Sequence, residues 1–254
     1  MKKDYSIYFL LFLLSGCSSA YIPSPKNVPL FEKKGEIQLE AGASTNSLYL
    51  SGSYAFSEKY ALTTNISMSY CDITGKPIKS DIERIFFTDG DVPHRSLEMG
   101  LGRYNLFPLS KQRFEIFAGA GYGVSDSFFR HYKNNYLYSF AQANTGLRSK
   151  HIEVGWSLRM SYSGFRYEEG NHKSQYDDNG VYQGNSLIIE HGNYQALIFE
   201  SLFVFRFGGQ RLKGFTRGGI NLAYPTTTTE KLTTFGVDRG YTMFHLSAGV
   251  SYRF

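Results

Sequence analysis

Two pairs of histidine and serine have a spacing that could support nucleophilic chemistry. His245 and Ser247 lie two positions apart, and so do His94 and Ser96. Residues two apart share one face of a β-strand, so each histidine could act as a base if a third group oriented it. No oxyanion donor can be identified beside either pair. The sequence therefore predicts that the chain is not an enzyme, with catalysis at His245 and Ser247 as an alternative.

Acidic residues in two segments could hold a divalent cation. One contains Asp81, Glu83 and the sequence DGD at 89–91, and the other is DDNG at 177–180. A twelve-residue calcium loop needs more carboxylates at alternating positions and a closing glutamate, and neither segment supplies them. The second segment fits a turn, because Asp, Asn and Gly tolerate left-handed backbone. We therefore predict no dedicated metal site and no cofactor.

The N-terminus carries an export signal. Two lysines precede an apolar run at 5–14, which is about half the length of a membrane-spanning helix. The run ends in Leu14-Ser15-Gly16-Cys17, which resembles the bacterial lipoprotein signal. That resemblance implies removal of residues 1–16 and lipidation of Cys17, and an ordinary secretory signal is the alternative. Cys71 is then the one remaining cysteine, so no disulfide framework is expected.

Residues 17–34 are predicted to form a lipid-anchored tether. Pro23, Pro25 and Pro29 fall within this stretch. Proline disfavours both helix interiors and central strands, so an extended chain is expected.

From residue 35 onward, apolar and polar residues alternate with a period of two, which indicates strands with two different faces. At 151–162, for example, Trp156 and Leu158 share one face, while Glu153 and Arg159 share the other. The composition agrees, with 20 Tyr, 21 Phe and 26 Gly among 254 residues. The predicted strands are 36–43, 48–56, 60–70, 97–106, 114–124, 137–148, 151–162, 194–207, 215–224 and 241–254.

The connections alternate between short and long. The predicted short turns are 57–59, 108–113, 148–151 and 208–213. On the opposite side we expect a tight turn near 45–46 and longer loops at 71–93, 125–135, 166–192 and 225–240. With the N-terminus placed in the periplasm, the short turns would be periplasmic and the long loops would face outward.

The chain ends on an aromatic residue, with apolar residues at alternating positions before it: Val250, Tyr252 and Phe254. This pattern resembles the C-terminal assembly signal of small Gram-negative outer-membrane β-barrel proteins. The resemblance implies a single antiparallel up-and-down transmembrane barrel over 35–254, with about ten strands and eight or twelve as alternatives. It also implies assembly by the barrel-assembly machinery and contact with outer-membrane lipid and lipopolysaccharide.

Charged residues are predicted to line the interior of this barrel. Buried charges persist when they pair and share hydrogen bonds, so a network that plugs the barrel is expected, and a narrow selective pore is the alternative. The residues assigned to the interior are Glu40, Glu98, Glu115, Glu153, Glu200, Arg148, Arg159, Arg217, Arg253 and His245.

The function is predicted to lie in the outer loops. The net charge of +5 is spread over short turns and strand ends, without the basic block that tracks nucleic acid. Loops on a rigid scaffold commonly carry binding, and 166–192 is rich in Tyr, Asn, Gly and Asp. We expect a structural or surface-binding role for an unknown ligand. A narrow channel for small solutes and a lipid-modifying barrel enzyme are the alternatives.

Overall fold

The protein is all-β. The computed structural model describes residues 26–44, 47–69, 94–107, 112–127, 132–176, 182–226 and 241–254. Its strands are β1 (Ile37–Ser44), β2 (Ser47–Tyr54), β3 (Tyr60–Ser69), β4 (His94–Tyr104), β5 (Gln112–Ser127), β6 (Tyr132–Arg148), β7 (Ile152–Tyr176), β8 (Tyr182–Gly208), β9 (Leu212–Pro225) and β10 (Tyr241–Arg253).

These strands form one closed barrel in which each is antiparallel to its neighbours in sequence. Closure comes from pairing of the first strand with the last, over the register from Gln38 opposite Arg253 to Ser44 opposite Ser247. The predicted antiparallel up-and-down barrel and its number of strands are therefore confirmed. Among the described residues, no helix is long and apolar enough to cross a membrane.

The alternation of side chains separates an apolar exterior from a polar interior. Leu50, Leu101, Leu137, Leu158 and Phe203 are among the large apolar side chains exposed on the outside. Buried polar side chains alternate with them and point inward. A closed barrel with this polarity matches the requirements of hydrocarbon, since each described strand of the wall has a partner on both sides and the outer surface is apolar.

Glycines on β5 create room for aromatic rings of β6. Gly119, Gly121 and Gly123 lie directly opposite Phe140, Tyr138 and Tyr136. A Cβ atom at Gly121 would lie 2.3 Å from the Tyr138 ring, and one at Gly123 would lie 2.1 Å from the Tyr136 ring. Because these positions have no side chains, three large rings of β6 can lie against β5 on the inner surface of the barrel.

The two ends of the barrel differ in the length of their connections. Short connections at 55–59, 149–151 and 209–211 lie at one end, called here the short-turn end. Gly208 (φ 143°) ends β8 there, in a backbone region that favours glycine. The predicted turns 57–59, 148–151 and 208–213 agree with these connections.

At the opposite end, the prediction of loops at 125–135 and 166–192 is wrong, because the strands continue through most of both. β7 and β8 extend to Tyr176 and from Tyr182. Pairing of β6 with β7 stops at Glu169, and pairing of β8 with β9 stops at Ala196. Residues 170–176 and 182–189 therefore form a two-stranded extension, called here the ribbon. The polar composition of 166–192 suggested a loop, because the stretch lacks the regular apolar alternation from which the other strands were predicted.

The second half of the predicted tether does not behave as a solvated linker. Residues 26–31, called here the lumenal segment, belong to no helix or strand and lie buried inside the barrel, whereas 32–35 are exposed. Other predictions lie outside the described residues, among them Cys17, Cys71, the acidic segments at 81–91 and 177–180, and most of the loops at 71–93 and 225–240.

Candidate functional site: the filled barrel lumen

Glu98 of β4 lies at the centre of a cross-barrel cluster. Arg159 of β7 donates to both carboxylate oxygens, with Nη1–Oε2 at 2.5 Å and Nη2–Oε1 at 2.8 Å. Asn65 donates to Oε1 at 2.7 Å, and the Tyr138 hydroxyl donates to Oε2 at 2.8 Å. The Arg159 guanidinium also lies 4.1 Å from the centre of the Phe140 ring. A bidentate, fully hydrogen-bonded pair of this kind satisfies a buried charge without water.

Two further carboxylates each connect their own strand with strands that are not its neighbours in the wall. Glu40 of β1 accepts from Arg206 Nε at 2.9 Å and from Arg217 Nη2. Glu153 of β7 meets four cations, with Nζ of Lys213 at 2.7 Å and Nη1 of Arg253 at 2.8 Å. Arg206 and Arg148 complete this group, at 3.3 Å and 3.4 Å. Because Arg206 contacts both carboxylates, the two clusters form one network.

The remaining interior carboxylates bind the lumenal segment. Glu200 of β8 pairs with Lys26 at 2.9 Å, and both side chains are almost completely buried, at 0% and 2% exposure. Lys26 Nζ also donates to Asn221 Oδ1 at 3.3 Å. Glu115 accepts from the Phe31 amide at 2.6 Å and from Asn144 Nδ2 at 3.1 Å. The wall thus provides a partner for each end of the segment.

Side chains of the wall also bind the carbonyl groups of the lumenal segment. Five consecutive carbonyls, from Lys26 to Leu30, each accept a hydrogen bond from a different wall residue. The donors, in order, are Arg217 at 3.0 Å, Gln142 at 2.8 Å, Arg206 at 2.7 Å, Arg253 at 2.8 Å and Arg148 at 3.2 Å. Four of the five donors are guanidinium groups, which form the stronger, charge-assisted class of hydrogen bond. The carbonyl groups of a segment without strand partners are thereby satisfied by side chains alone.

Apolar side chains of the lumenal segment fit a hollow in the wall. Val28 and Leu30 are fully buried against Leu202 and Val204. A Cβ atom at Gly155 would lie 2.8 Å from Val204 and 3.1 Å from Val28, so glycine makes this space. Leu30 adopts a left-handed backbone (φ 54°), which is unfavourable for a residue with a Cβ and is held here by the surrounding contacts.

At the short-turn end, further contacts fix the exit of the segment. The Phe31 ring lies 5.5 Å from that of Tyr104, centre to centre. Glu32 pairs with Arg113 at 2.9 Å, and its carbonyl accepts from Asn105 Nδ2 at 3.1 Å. The chain therefore runs from the level of Glu200, within the barrel, to the rim where β1 begins.

The structure places the residues assigned to the interior on the inner face of their strands. It brings Glu98 to Arg159, Glu40 to Arg217, and Glu153 to Arg148 and Arg253. Within the described chain, Glu115 and His245 have no ion pair, and His245 Nε2 has no hydrogen-bond partner.

Several interior residues were not identified from the sequence. Arg206 lies in a stretch that is apolar on both faces, and Lys213 was assigned to a turn. Lys26 was assigned to the tether. Gln142 was also missed, although the sequence does carry a signal for it. It alternates with apolar neighbours on β6, a strand that was predicted, and this alternation places it on the inner face.

Within the described residues, the hydrogen bonds of these side chains join neither predicted pair, His245 with Ser247 or His94 with Ser96. Ser247 Oγ accepts from the Tyr49 hydroxyl at 3.1 Å rather than contacting His245. His94 lies 3.4 Å from Ser67 Oγ and 3.4 Å from the Tyr136 hydroxyl, while Ser96 bonds Ser67 at 2.6 Å. Among the residues that the structure describes, no group of three or more metal-ligating side chains is found.

The three C-terminal residues of the predicted assembly signal lie on the outer face of β10. Val250 and Phe254 are exposed, and Tyr252 is half-buried. The rings of Tyr252 and Phe254 meet edge to face with centres 4.7 Å apart, and the Phe254 amide donates to the Ile37 carbonyl at 3.0 Å. These residues therefore end the strand at the point where the barrel closes.

Comparisons with known proteins give only distant structural likenesses. No family model matches the chain, and no curated protein matches it. The outer membrane protease OmpT from Escherichia coli is similar with a TM-score of 0.47 and 10% identity, covering 87% of this chain and 93% of OmpT. Ail, the attachment invasion locus protein of Yersinia pestis, has a TM-score of 0.35 and 9% identity, covering 87% and 99%. The N-terminal β-barrel domain of Pseudomonas aeruginosa OprF has a TM-score of 0.31 and 9% identity, covering 88% and 100%. Likenesses at this level assign neither a family nor an activity to this chain.

Proposed function

We propose that this protein is an outer-membrane barrel with a closed lumen whose function is binding at its outer surface. One observation carries the proposal: among the described residues, the lumenal segment and the ion pairs of Glu40 and Glu200 are buried inside the barrel, in the space that an open passage would need. A filled barrel acts as a rigid support, and its activity then belongs to the parts that extend beyond it. The short-turn end faces the periplasm in this proposal, and the ribbon faces outward.

The ribbon is the part of the described chain best suited to binding. Its strands are paired with each other from Gly170 opposite Ile189 to Tyr176 opposite Tyr182. Within the described chain, their outer edges have no strand partner. Seven residues at about 3.3 Å each carry the ribbon roughly 23 Å beyond the wall. Unpaired edges can accept a strand from another protein, and this is a common mode of recognition.

A shortened ribbon tests the proposal. Glu169 lies directly opposite Glu190, so replacing 170–189 with Asn-Gly closes the hairpin with a two-residue turn. We expect the shortened barrel to fold normally but to lose binding to intact cells and to immobilised lipopolysaccharide, the two probes to be compared. Folding is verified by heat-dependent gel mobility. Binding that is equal for the intact and shortened proteins on both probes would refute the proposed role.

Anchoring through Cys17 and export by the lipoprotein pathway belong to the same proposal. Their support is the Leu14-Ser15-Gly16-Cys17 sequence after the apolar run. Incorporation of labelled palmitate into the wild-type protein, and its loss in Cys17→Ser, would establish the anchor. Equal labelling of both proteins would exclude it.

A further inference from the structure

The lumenal segment is held in the manner of a bound peptide. Its residues belong to no strand, and the barrel closes without them through pairing of β1 with β10. Five consecutive carbonyls are bound by side chains of four different strands, namely β6, β8, β9 and β10. We infer that the short-turn half of the lumen is a binding site for a cationic–apolar peptide, with the lumenal segment as its built-in occupant.

Recognition of backbone carbonyls by guanidinium groups does not depend on the peptide sequence. It requires only a backbone course that presents each carbonyl to a different part of the wall, and the left-handed Leu30 is part of that course here. These contacts define the class of ligand as a peptide chain rather than a sugar or a lipid. A peptide also provides amide donors, which Glu115 binds at Phe31 and Glu36 binds at Glu32.

Side-chain contacts add selectivity. Glu200 binds the Lys26 ammonium at the first position of the segment. At the second position, Ser53 Oγ accepts from the side-chain Nδ2 of Asn27 at 3.1 Å. The hollow at Gly155 accepts branched apolar side chains at the third and fifth positions. An aromatic ring at the sixth position packs on Tyr104. The preferred ligand thus carries a cation at the position of Lys26 and apolar side chains on the C-terminal side of that cation.

The connection between segment and barrel is short and exposed. Glu32, Lys33, Lys34 and Gly35 are exposed, and Gly35 adopts a left-handed backbone (φ 85°). Cutting this connection leaves every strand of the barrel intact. The segment would then remain in place only if the wall itself binds it. This inference rests on the closed lumen of the proposed function but not on the role of the ribbon. Failure of the peptide site and failure of the ribbon's binding role can therefore be told apart.

The experiment uses the full chain carrying Cys17→Ser, so that no acyl chain can hold the released fragment in the micelle, with a site for a specific protease inserted between Lys33 and Lys34. The folded protein is cut in detergent, and the dissociation rate of the released N-terminal fragment is followed by gel filtration. We expect the fragment to co-elute with the cut barrel. Glu200→Gln, which leaves Lys26 buried without its charge partner, should raise the dissociation rate at least about tenfold.

Glu168→Gln is the matched control. It makes the same chemical change in an exposed carboxylate of β7, 3.7 Å from His191 and outside the lumen. It should leave the dissociation rate unchanged. A labelled synthetic peptide with the sequence of residues 26–33 should then bind the emptied barrel, and its Lys26→Ala version should bind at least about tenfold more weakly. Immediate loss of the fragment on cutting, equal rates for the two glutamine variants, or equal binding of the two peptides would overturn the inference.

Discussion

Arg159 of β7 and Glu98 of β4 form a two-pronged ion pair across the barrel, at 2.5 Å and 2.8 Å, although β5 and β6 separate their strands in the wall. Both side chains are buried, at 1% exposure. A contact of this kind connects strands that share no backbone hydrogen bond. It therefore constrains the cross-section of the barrel in addition to neutralising two charges.

Breaking this pair on one side should destabilise the barrel strongly. Glu98→Gln removes the bidentate partner of buried Arg159, which retains Glu200 at 3.9 Å, and we expect a loss of about 3 kcal/mol in the free energy of unfolding. Urea unfolding in detergent micelles measures this loss. Combining Glu98→Gln with Arg159→Met removes the uncompensated charge and should recover part of the stability. A single variant as stable as the wild type would show that the pair has no structural role.

A methyl group added in the hollow under the lumenal segment should weaken the packing of the segment and lower the free energy of unfolding. Gly155→Ala places a Cβ atom 2.8 Å from Val204 and 3.1 Å from Val28. Overpacking of this kind costs about 1–3 kcal/mol. Val28→Ala in the same chain should relieve part of the cost, because it removes one of the two opposing groups. The free energy of unfolding of the single and double variants tests this coupling, and strict additivity of the two changes would argue against the contact.

The free-energy cost of a charge introduced on the outer surface should depend on how deep its position lies in the membrane. Leu158 lies within β7 and is 46% exposed, while Ile152 is the first residue of the same strand and is 49% exposed. If hydrocarbon surrounds the barrel, Leu158→Arg should cost about 2–4 kcal/mol and Ile152→Arg about 0–1 kcal/mol. Unfolding from lipid vesicles gives both values. Equal and small effects at the two positions would mean that water, not lipid, meets this face.

The strands could be predicted from the sequence because a strand of a transmembrane barrel needs apolar side chains on its outer face and accepts polar ones on its inner face. In β7, Trp156 and Leu158 against Glu153 and Arg159 identified both the strand and its inner face. β8 was harder, because its stretch with Phe203, Val204 and Phe205 is apolar on both sides. There the lumenal segment supplies an apolar surface inside the barrel, where Val28 and Leu30 meet Val204.

The lumenal segment itself could not be predicted. Its Pro29 and irregular apolar residues gave no periodicity, so it was interpreted as a tether. Its place depends on the spacing of Arg148, Arg206, Arg217 and Arg253 around a closed barrel, and that spacing exists only after the strands have paired. The charge pairs have the same limitation, since Glu98 could be assigned to the interior but its partner Arg159 could not be chosen from the sequence.

The measurement that tests the account most directly is ion conductance of the intact chain in planar lipid bilayers. Protein that is folded by heat-dependent gel mobility should insert and give no steady conductance, because the lumenal segment and the charges around Glu40, Glu98 and Glu153 occupy the interior. Stable open-channel steps from the intact folded protein would contradict the closed lumen.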